Sequence, residues 1–188
     1  MENFEYTGTG HQVLFGTGTL QQLPTFIKKI NATKVLILST PEQVSSAERV
    51  QSIIGDVGVA IFGQATMHTP THITDKAVAV AQEHKADGII SIGGGSTVGL
   101  GKAISIRTGI PHLCIPTTYA GSEMTPILGE TENGKKTTRR DPRILPAAVL
   151  YDVALFMSLP VGMTVYSGIN AIAHAGKFIA LETNHKLC

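Results

Sequence analysis

Three glycines and a serine separate a predicted strand from a predicted helix, at residues 93–96 of the chain. Glycine lets the backbone approach a bulky anion closely, and consecutive glycines turn several N–H groups toward it. Ser96 can cap the helix that follows, whose N-terminus adds partial positive charge. A tight strand-to-helix turn is the alternative, although one glycine would be enough for it. We therefore predict that Gly93, Gly94, Gly95 and Ser96 bind a diphosphate.

Two further sets of polar side chains are predicted to reach such a ligand. Lys102 lies on the same predicted helix, where its ammonium can neutralise a phosphate or a carboxylate, although most helical lysines are simply solvated. Thr117, Thr118 and Ser122 follow the next predicted strand, at the edge of the sheet where open α/β folds bind ligands. Their hydroxyls suit ribose, phosphate or a carboxamide, and hydrogen bonds within the loop are the alternative.

The last predicted helix carries Asn170 and His174, which are four residues apart and therefore share one face. This spacing allows two side chains to hold one metal ion or one substrate molecule. A histidine with a structural role is the alternative at this position.

A polar segment between two predicted strands contains Asn133-Gly134, which predicts a hairpin turn. A basic cluster surrounds this turn and continues beyond it. It is either a solvated loop or a surface that attracts an anionic substrate or a 2′-phosphate. The cluster consists of Lys135, Lys136, Arg139, Arg140 and Arg143.

The segment Gly16-Thr17-Gly18 also follows a short apolar run and precedes a predicted helix, which is the position of a dinucleotide-binding fingerprint. Gln21 stands where that fingerprint needs its third glycine, and no acidic residue ends the next predicted strand. We interpret this segment as a turn.

Short apolar runs that alternate with segments of helical period must position these residues. Apolar strands separated by amphipathic helices are typical of a parallel sheet covered on both faces. The sequence therefore predicts a doubly wound, Rossmann-like α/β domain over residues 1–160, followed by the start of an all-helical second domain at residues 161–188. The second-domain helix should begin near Thr164 and turn Val165, Ile169, Ile172 and Ile179 inward. The predicted strands are residues 34–39, 57–62, 88–92, 112–116 and 147–152.

Composition excludes several classes of protein. The 188 residues are 43% hydrophobic and carry 15 Lys and Arg against 14 Asp and Glu, for a net charge of +1. Such a chain can bury enough apolar surface to fold, and its charge gives no reason to expect nucleic acid or a membrane as its partner. Two cysteines, an acidic N-terminus and the absence of an apolar run long enough for a membrane helix favour a cytoplasmic protein.

Three motifs, taken together and in this order, resemble those of the iron-containing alcohol dehydrogenase family, and within it the maleylacetate reductases. They are GGGSTVGLGKA at 93–103, PTTYAGSEMTP at 116–126 and SGINAIAHA at 167–175. The resemblance implies an enzyme that reduces maleylacetate, a small dicarboxylate, to 3-oxoadipate with NADH or NADPH in aromatic-compound degradation. It also implies an active site between the two domains and a homodimer when the protein is full length.

The resemblance further assigns individual cofactor contacts. It places the diphosphate on Gly94, Gly95 and Ser96, and the ribose and nicotinamide on Thr117, Thr118 and Ser122. Thr40 stands where many members have an Asp that bonds the adenosine 2′-hydroxyl, so that NADPH is as open as NADH. Further contacts are implied at Lys136 and Leu155.

The same resemblance bears on the metal. Asn170 stands where metal-dependent members have an Asp ligand, and His174 matches their first His ligand. Because a neutral amide binds a divalent cation more weakly than a carboxylate does, we expect no metal requirement, with His174 a ligand only if the enzyme is metal-dependent. His174 and Asn170 are then catalytic candidates, with His174 a possible donor to the enolate oxygen of the substrate. The alternatives are an iron-dependent alcohol dehydrogenase acting on a small alcohol or aldehyde, and a nucleotide-binding fragment without turnover.

Overall fold

The computed structural model describes the backbone of residues 11–184 and the side chains of residues 11–173. Its strands are β1 (Gln12–Gly16), β2 (Val35–Leu38), β3 (Gly58–Phe62), β4 (Gly88–Gly93), β5 (His112–Pro116), β6 (Ile127–Glu132), β7 (Lys135–Arg140) and β8 (Ala148–Asp152). Its helices are α1 (Leu23–Lys29), α2 (Val44–Ile54), α3 (Thr71–Glu83), α4 (Gly95–Thr108), α5 (Val153–Phe156) and α6 (Val161–Asn184). The five strands predicted from apolar runs are all present, with nearly the predicted bounds.

Six strands form one parallel sheet in the order β1-β8-β5-β4-β2-β3. The strand order reverses between β2 and β4, because β3 lies outside β2 on one side while β5 lies beyond β4 on the other. A reversal of this kind leaves a crevice at the carboxyl ends of the strands, where open α/β sheets bind ligands.

Helices cover both faces of the sheet, as the alternation of residues along β2 makes clear. Val35 and Ile37 belong to a core cluster that includes the buried residues of α1 and α2. Leu36 and Leu38 point to the opposite face and pack with buried residues of α3 and α4. Burial on both faces is the reason why these strands are apolar throughout. The predicted doubly wound α/β fold is confirmed.

The hairpin predicted from Asn133-Gly134 joins β6 to β7 as an antiparallel pair. Both turn residues have positive φ angles, 49° and 76°, as the tight turn of a two-residue hairpin requires. The hairpin lies beside the α/β core, where Arg107 of α4 forms an ion pair with Glu130 of β6 at 2.8 Å.

The segment around Gly16-Thr17-Gly18 is a turn, as predicted. Gly18 has the left-handed φ of 70°, and its amide donates a hydrogen bond to the carboxylate of Asp152 at 3.0 Å. The amide of Leu20 donates to the same carboxylate, also at 3.0 Å. These N–H groups are therefore taken by a protein carboxylate at the end of β8 and do not face a phosphate.

The last helix, α6, begins directly after Pro160, a few residues before the predicted start near Thr164. Val165, Ile169 and Ile172 are 50%, 60% and 74% exposed, so they do not pack on the described α/β core, and their burial within a second domain stays a prediction. The side chain of Ile179 lies outside the described residues. The described α/β core offers this face of the helix nothing to pack against. Among the described residues, no helix combines the length and the apolar character needed to cross a membrane.

Candidate active site

The glycine bend lies at the carboxyl end of β4, beside the point where the strand order reverses. Gly93 has a φ of 143°, and a Cβ there would lie 2.6 Å from Oε1 of Gln43 and 2.7 Å from Oγ1 of Thr97. A Cβ on Gly94 would meet Cγ2 of Thr118 at 3.0 Å. At Gly95 it would meet only Cβ of Ala120, at 3.8 Å. A Cβ is therefore crowded at the first two glycines, and Gly93 also has a φ that other residues rarely adopt, whereas Gly95 leaves the start of α4 open.

The helix α4 begins at Gly95 without a side-chain cap. Gly94 takes the N-cap position, so the prediction that Ser96 caps the helix is wrong. The first N–H groups of a helix have no acceptor within the helix, and here no cap side chain supplies one. Gly95 and Ser96 instead line an open cleft of about 320 Å³, which leaves this helix end accessible to an anion.

Lys102 does not reach the glycine bend, and its predicted contact with the ligand is wrong. Its side chain is fully buried, and its ammonium donates to the carbonyl oxygens of Ser122, Thr125 and Ile127 at 2.5, 2.7 and 2.9 Å. Burial lowers the pKa of Lys102 to about 8, and the nearby carboxylate of Glu123 opposes this shift. The lysine holds the loop that follows β5 against α4, because one cation satisfies three carbonyl groups of that loop.

The predicted hydroxyl residues lie around the bend, in three different settings. Thr117 is buried, donates its amide to the carbonyl of Gly93 at 3.0 Å and accepts a hydrogen bond from Gln43 at 3.1 Å. Thr118 packs its methyl group against Gly94 and lines an apolar cleft. Ser122 lines the same cleft as Gly95. Gln43, which follows β2 and lies beside both Gly93 and Thr117, was not predicted from the sequence.

Lys136 lies on the hairpin strand β7 and lines the cleft that Gly95, Ser96 and Ser122 also line. The structure therefore brings together a glycine bend, an open helix end and a lysine that are far apart in the sequence. Two other basic residues of the cluster are committed elsewhere, since Asp141 pairs with Arg143 at 2.6 Å and with Arg139 at 3.5 Å. The hydrogen bonds from Arg143 hold the pKa of Asp141 well below its usual range.

A second cleft lies on the other side of Ser96, beyond the ends of β2 and β3. It has a volume of about 320 Å³, and Thr40, Glu42 and Thr66 are among the residues that line it. Ser96 and Met67 line both clefts, so that the two adjoin at the start of α4. The predicted cofactor residue Thr40 is thus next to the glycine bend.

A third cleft, of about 390 Å³, has mainly apolar walls and a buried acid. Tyr119 stacks on Phe156 with ring centroids 5.1 Å apart, and both rings line the cleft. The buried carboxylate of Glu123 accepts a hydrogen bond from the hydroxyl of Tyr151 at 2.8 Å. Burial, together with that carboxylate, raises the pKa of Tyr151. Sequence reasoning missed this pair, because the two residues become neighbours only in the folded sheet.

Leu155, for which the resemblance implies a cofactor contact, packs against the hydrophobic core from α5. Its neighbours Val153 and Phe156 line the apolar cleft instead. Asn170 is exposed on α6. The backbone of His174 lies in the same helix, but its side chain lies outside the described residues. Among the described residues, no three His, Cys, Asp or Glu side chains form a group that can hold a metal ion.

Beneath α4, a buried histidine explains why this helix needs a glycine. A Cβ on Gly101 would lie 2.2 Å from Nε2 of His112. The same nitrogen lies 2.7 Å from Oγ of Ser91 and 3.4 Å from Sγ of Cys114. Burial, with a smaller effect of the Lys102 charge, lowers the pKa of His112 to about 3, so the ring is neutral at pH 7. Burial also raises the pKa of the Cys114 thiol to about 12.

The lowered pKa of His112 predicts a loss of stability in mild acid. Between pH 6.5 and pH 3 the unfolded chain binds a proton at this residue and the native chain does not, so the free energy of unfolding falls as the pH falls. The loss should approach about 1.4 kcal/mol per pH unit within that window. Urea unfolding at several pH values between 7.5 and 4.5 measures it. A His112→Gln variant should show a flatter profile, while a control variant of the exposed residue, His84→Gln, should follow the parent. An equally steep profile for His112→Gln contradicts the assignment.

The fold and the site define the class of the protein. An open helix N-terminus behind a glycine bend, at the reversal point of a parallel sheet, is typical of nucleotide-binding α/β domains. The chain belongs to the iron-containing alcohol dehydrogenase family, whose family model matches residues 10–153.

Several of the similar proteins within this family are maleylacetate reductases. The chain is 48% identical to a maleylacetate reductase of Rhizobium sp. strain MTP-10005 and 51% identical to one of Burkholderia cepacia, each over 177 residues. Both alignments cover 94% of this chain and 50% of the relative. The crystal structure of maleylacetate reductase from Agrobacterium tumefaciens superimposes with a TM-score of 0.88 at 46% identity, over 93% of this chain and 50% of the other. The chain therefore spans about half the length of the relatives it matches.

Proposed function

We propose that this chain is the nucleotide-binding part of a maleylacetate reductase, an enzyme that reduces maleylacetate to 3-oxoadipate with NADH or NADPH. The observation that carries the proposal is the open cleft at the start of α4, where the glycine bend presents an uncapped helix end. Sequence identity to maleylacetate reductases over nearly the whole chain supports the choice of substrate.

The residues of the chain have distinct parts in this proposal. The bound nicotinamide supplies a hydride for the electron-poor double bond of the substrate. The amides of Gly95 and Ser96 bind the diphosphate, and Lys136 adds a positive charge at the same cleft. The stacked rings of Tyr119 and Phe156 exclude water from the neighbouring apolar cleft, where Glu123 stays fixed by its hydrogen bond.

The substrate carries two carboxylates, which basic side chains at the cleft are suited to bind. Lys136 and Arg140 are the candidates within the described chain, and both are exposed on β7. His174, with Asn170 one turn earlier on α6, is the candidate donor to the enolate oxygen. We propose that no metal is needed, because Asn170 offers a neutral amide where a metal site requires a stronger ligand.

The proposal extends to the protein as a whole. Residues 1–160 form the nucleotide-binding domain, and residues 161–188 begin a helical domain that covers the exposed apolar side chains of α6. Large exposed apolar faces are typical of surfaces that another part of a protein covers. The full-length enzyme is a cytoplasmic homodimer that binds neither nucleic acid nor membrane.

The experiment has two stages. Fluorescence titration should show that this chain binds NADH or NADPH. The full-length protein should then oxidise the cofactor when maleylacetate is added, and a chelator should leave the rate unchanged. No binding of either cofactor contradicts the proposal, as does binding without maleylacetate reduction by the full-length protein.

An iron-dependent alcohol dehydrogenase is the second candidate function, favoured by the match to the family model. It requires that added iron or zinc restores activity after chelation, and that a small alcohol or aldehyde is turned over in preference to maleylacetate. Nucleotide binding without turnover is the third, and it is expected only of the chain tested by itself.

A further inference from the structure

The cleft beyond the ends of β2 and β3 adjoins the glycine bend, yet it differs from the cleft on the other side of Ser96 in charge. Lys136 lines the first cleft. Glu42 is the charged residue among those that line the second, and neither Lys nor Arg is among them. From a diphosphate at the start of α4, a dinucleotide can therefore extend into either of two clefts. The cleft that Lys136 lines is the basic exit, and the cleft that Glu42 lines is the acidic exit.

Glu42 is held in place by the local backbone. It lies in a short 3-10 turn that follows β2, with Thr40 in the N-cap position of that turn and Pro41 at its start. Hydrogen bonds from its own backbone amide and from the hydroxyl of Thr40 lower the pKa of Glu42, which is therefore ionised at pH 7. Glu42 is exposed and lies two residues after Thr40. It follows the carboxyl end of β2, which is the neighbour of β4 in the sheet.

We propose that Glu42 determines the cofactor specificity of this protein, by bonding the adenosine ribose of NADH and repelling the 2′-phosphate of NADPH. This inference rests on the proposed function, since it requires a dinucleotide at the glycine bend. The resemblance left the choice between NADH and NADPH open at Thr40, and the carboxylate of Glu42 lies two residues further along the chain.

The orientation of the cofactor follows from the two exits. In doubly wound folds an acidic residue after a strand next to the glycine turn bonds the ribose hydroxyls of the adenosine half. The nicotinamide half must instead reach the substrate, and a dicarboxylate requires the basic exit that Lys136 lines. The adenosine half therefore takes the exit that Glu42 lines.

The chemistry of the acidic exit favours a ribose with free hydroxyls. A carboxylate accepts hydrogen bonds from the 2′- and 3′-hydroxyls, and such charge-assisted bonds are strong. A 2′-phosphate removes one of these donors and brings a second anion next to Glu42. No lysine or arginine among the residues lining this cleft compensates that charge.

The test measures the dissociation constants of NADH and NADPH for this chain, by fluorescence titration at low and high salt. We expect the parent to bind NADH about tenfold more tightly than NADPH, as one charge-assisted hydrogen bond predicts. The Glu42→Gln variant should lose most of that preference, and Glu42→Arg should favour NADPH. High salt should narrow the gap for the parent, because it screens the repulsion at this exposed site.

The matched control is Glu48→Gln, which removes a carboxylate from an exposed position on α2 that does not line the cleft. It should keep the preference of the parent, and thermal unfolding should confirm that each variant is folded. Equal affinity of the parent for the two cofactors overturns the inference, as does an unchanged preference in Glu42→Gln. Neither result affects the proposed function, which fails only if the chain binds neither cofactor or the full-length protein does not reduce maleylacetate.

Discussion

Replacing Lys102 by methionine is expected to lower the free energy of unfolding by about 2–4 kcal/mol and to loosen the loop after β5. The methionine fills a similar volume but leaves the carbonyl groups of Ser122, Thr125 and Ile127 without their shared donor. An unsatisfied buried polar group costs about 1–3 kcal/mol. The gain from no longer burying a charge offsets part of this cost, as the lowered pKa of the lysine indicates.

Urea unfolding measures the stability change, and limited proteolysis of residues 117–127 measures the loosening. The NADH affinity should also fall, because Ser122 lines the cleft beside Gly95. Lys76→Met is the control, since Lys76 is an exposed lysine on α3. A Lys102→Met variant that resists urea and protease as well as the parent shows that the lysine does not hold the loop.

The second large effect is expected on NADH binding, when a charge is placed at the proposed diphosphate site. Replacing Gly95 by aspartate should weaken NADH binding at least about tenfold, because it places a negative charge at the helix end where we propose that the diphosphate binds. The fold should tolerate the change, since a Cβ at this position meets only Ala120, at 3.8 Å. An acidic residue in the first turn of a helix is itself stabilising.

Gly95→Asn is the matched control, because asparagine has nearly the same size as aspartate and no charge. The difference in NADH affinity between the two variants isolates the electrostatic part of the loss. We expect the aspartate variant to be at least as stable as the asparagine variant and to bind NADH more weakly. Equal binding by the two variants indicates that the diphosphate does not lie at the start of α4.

Local features of the sequence were sufficient to predict the sheet, the hairpin and the glycine bend. Strands buried on both faces must be apolar throughout, as β2 is, and the hairpin needs two residues that accept positive φ, as Asn133 and Gly134 do. Gly16-Thr17-Gly18 was interpreted as a turn because Gln21 stands where a dinucleotide-binding fingerprint needs its third glycine, and this too is a local feature. The hydrogen bonds from this turn to Asp152 confirm the interpretation.

Two expectations about side chains on α4 failed, each for its own reason. Lys102 turned toward a loop that follows the next strand, instead of toward the bend on its own helix. Ser96 did not become the cap, because the helix begins one residue before it. The apolar residues of α6 are exposed because the described core provides no surface for them, and their burial in a second domain stays a prediction.

The sequence alone determined the layered α/β architecture and the place of the glycine bend after the strand at 88–92, because hydrophobic period and backbone freedom act over a few neighbouring residues. Only the tertiary structure decided which side chains meet at that bend. Glu42 comes next to Ser96, and Glu123 pairs with Tyr151, because parallel strands bring their carboxyl ends to one edge. Such contacts depend on the order of the strands in the sheet, and that order is set by packing over the whole domain.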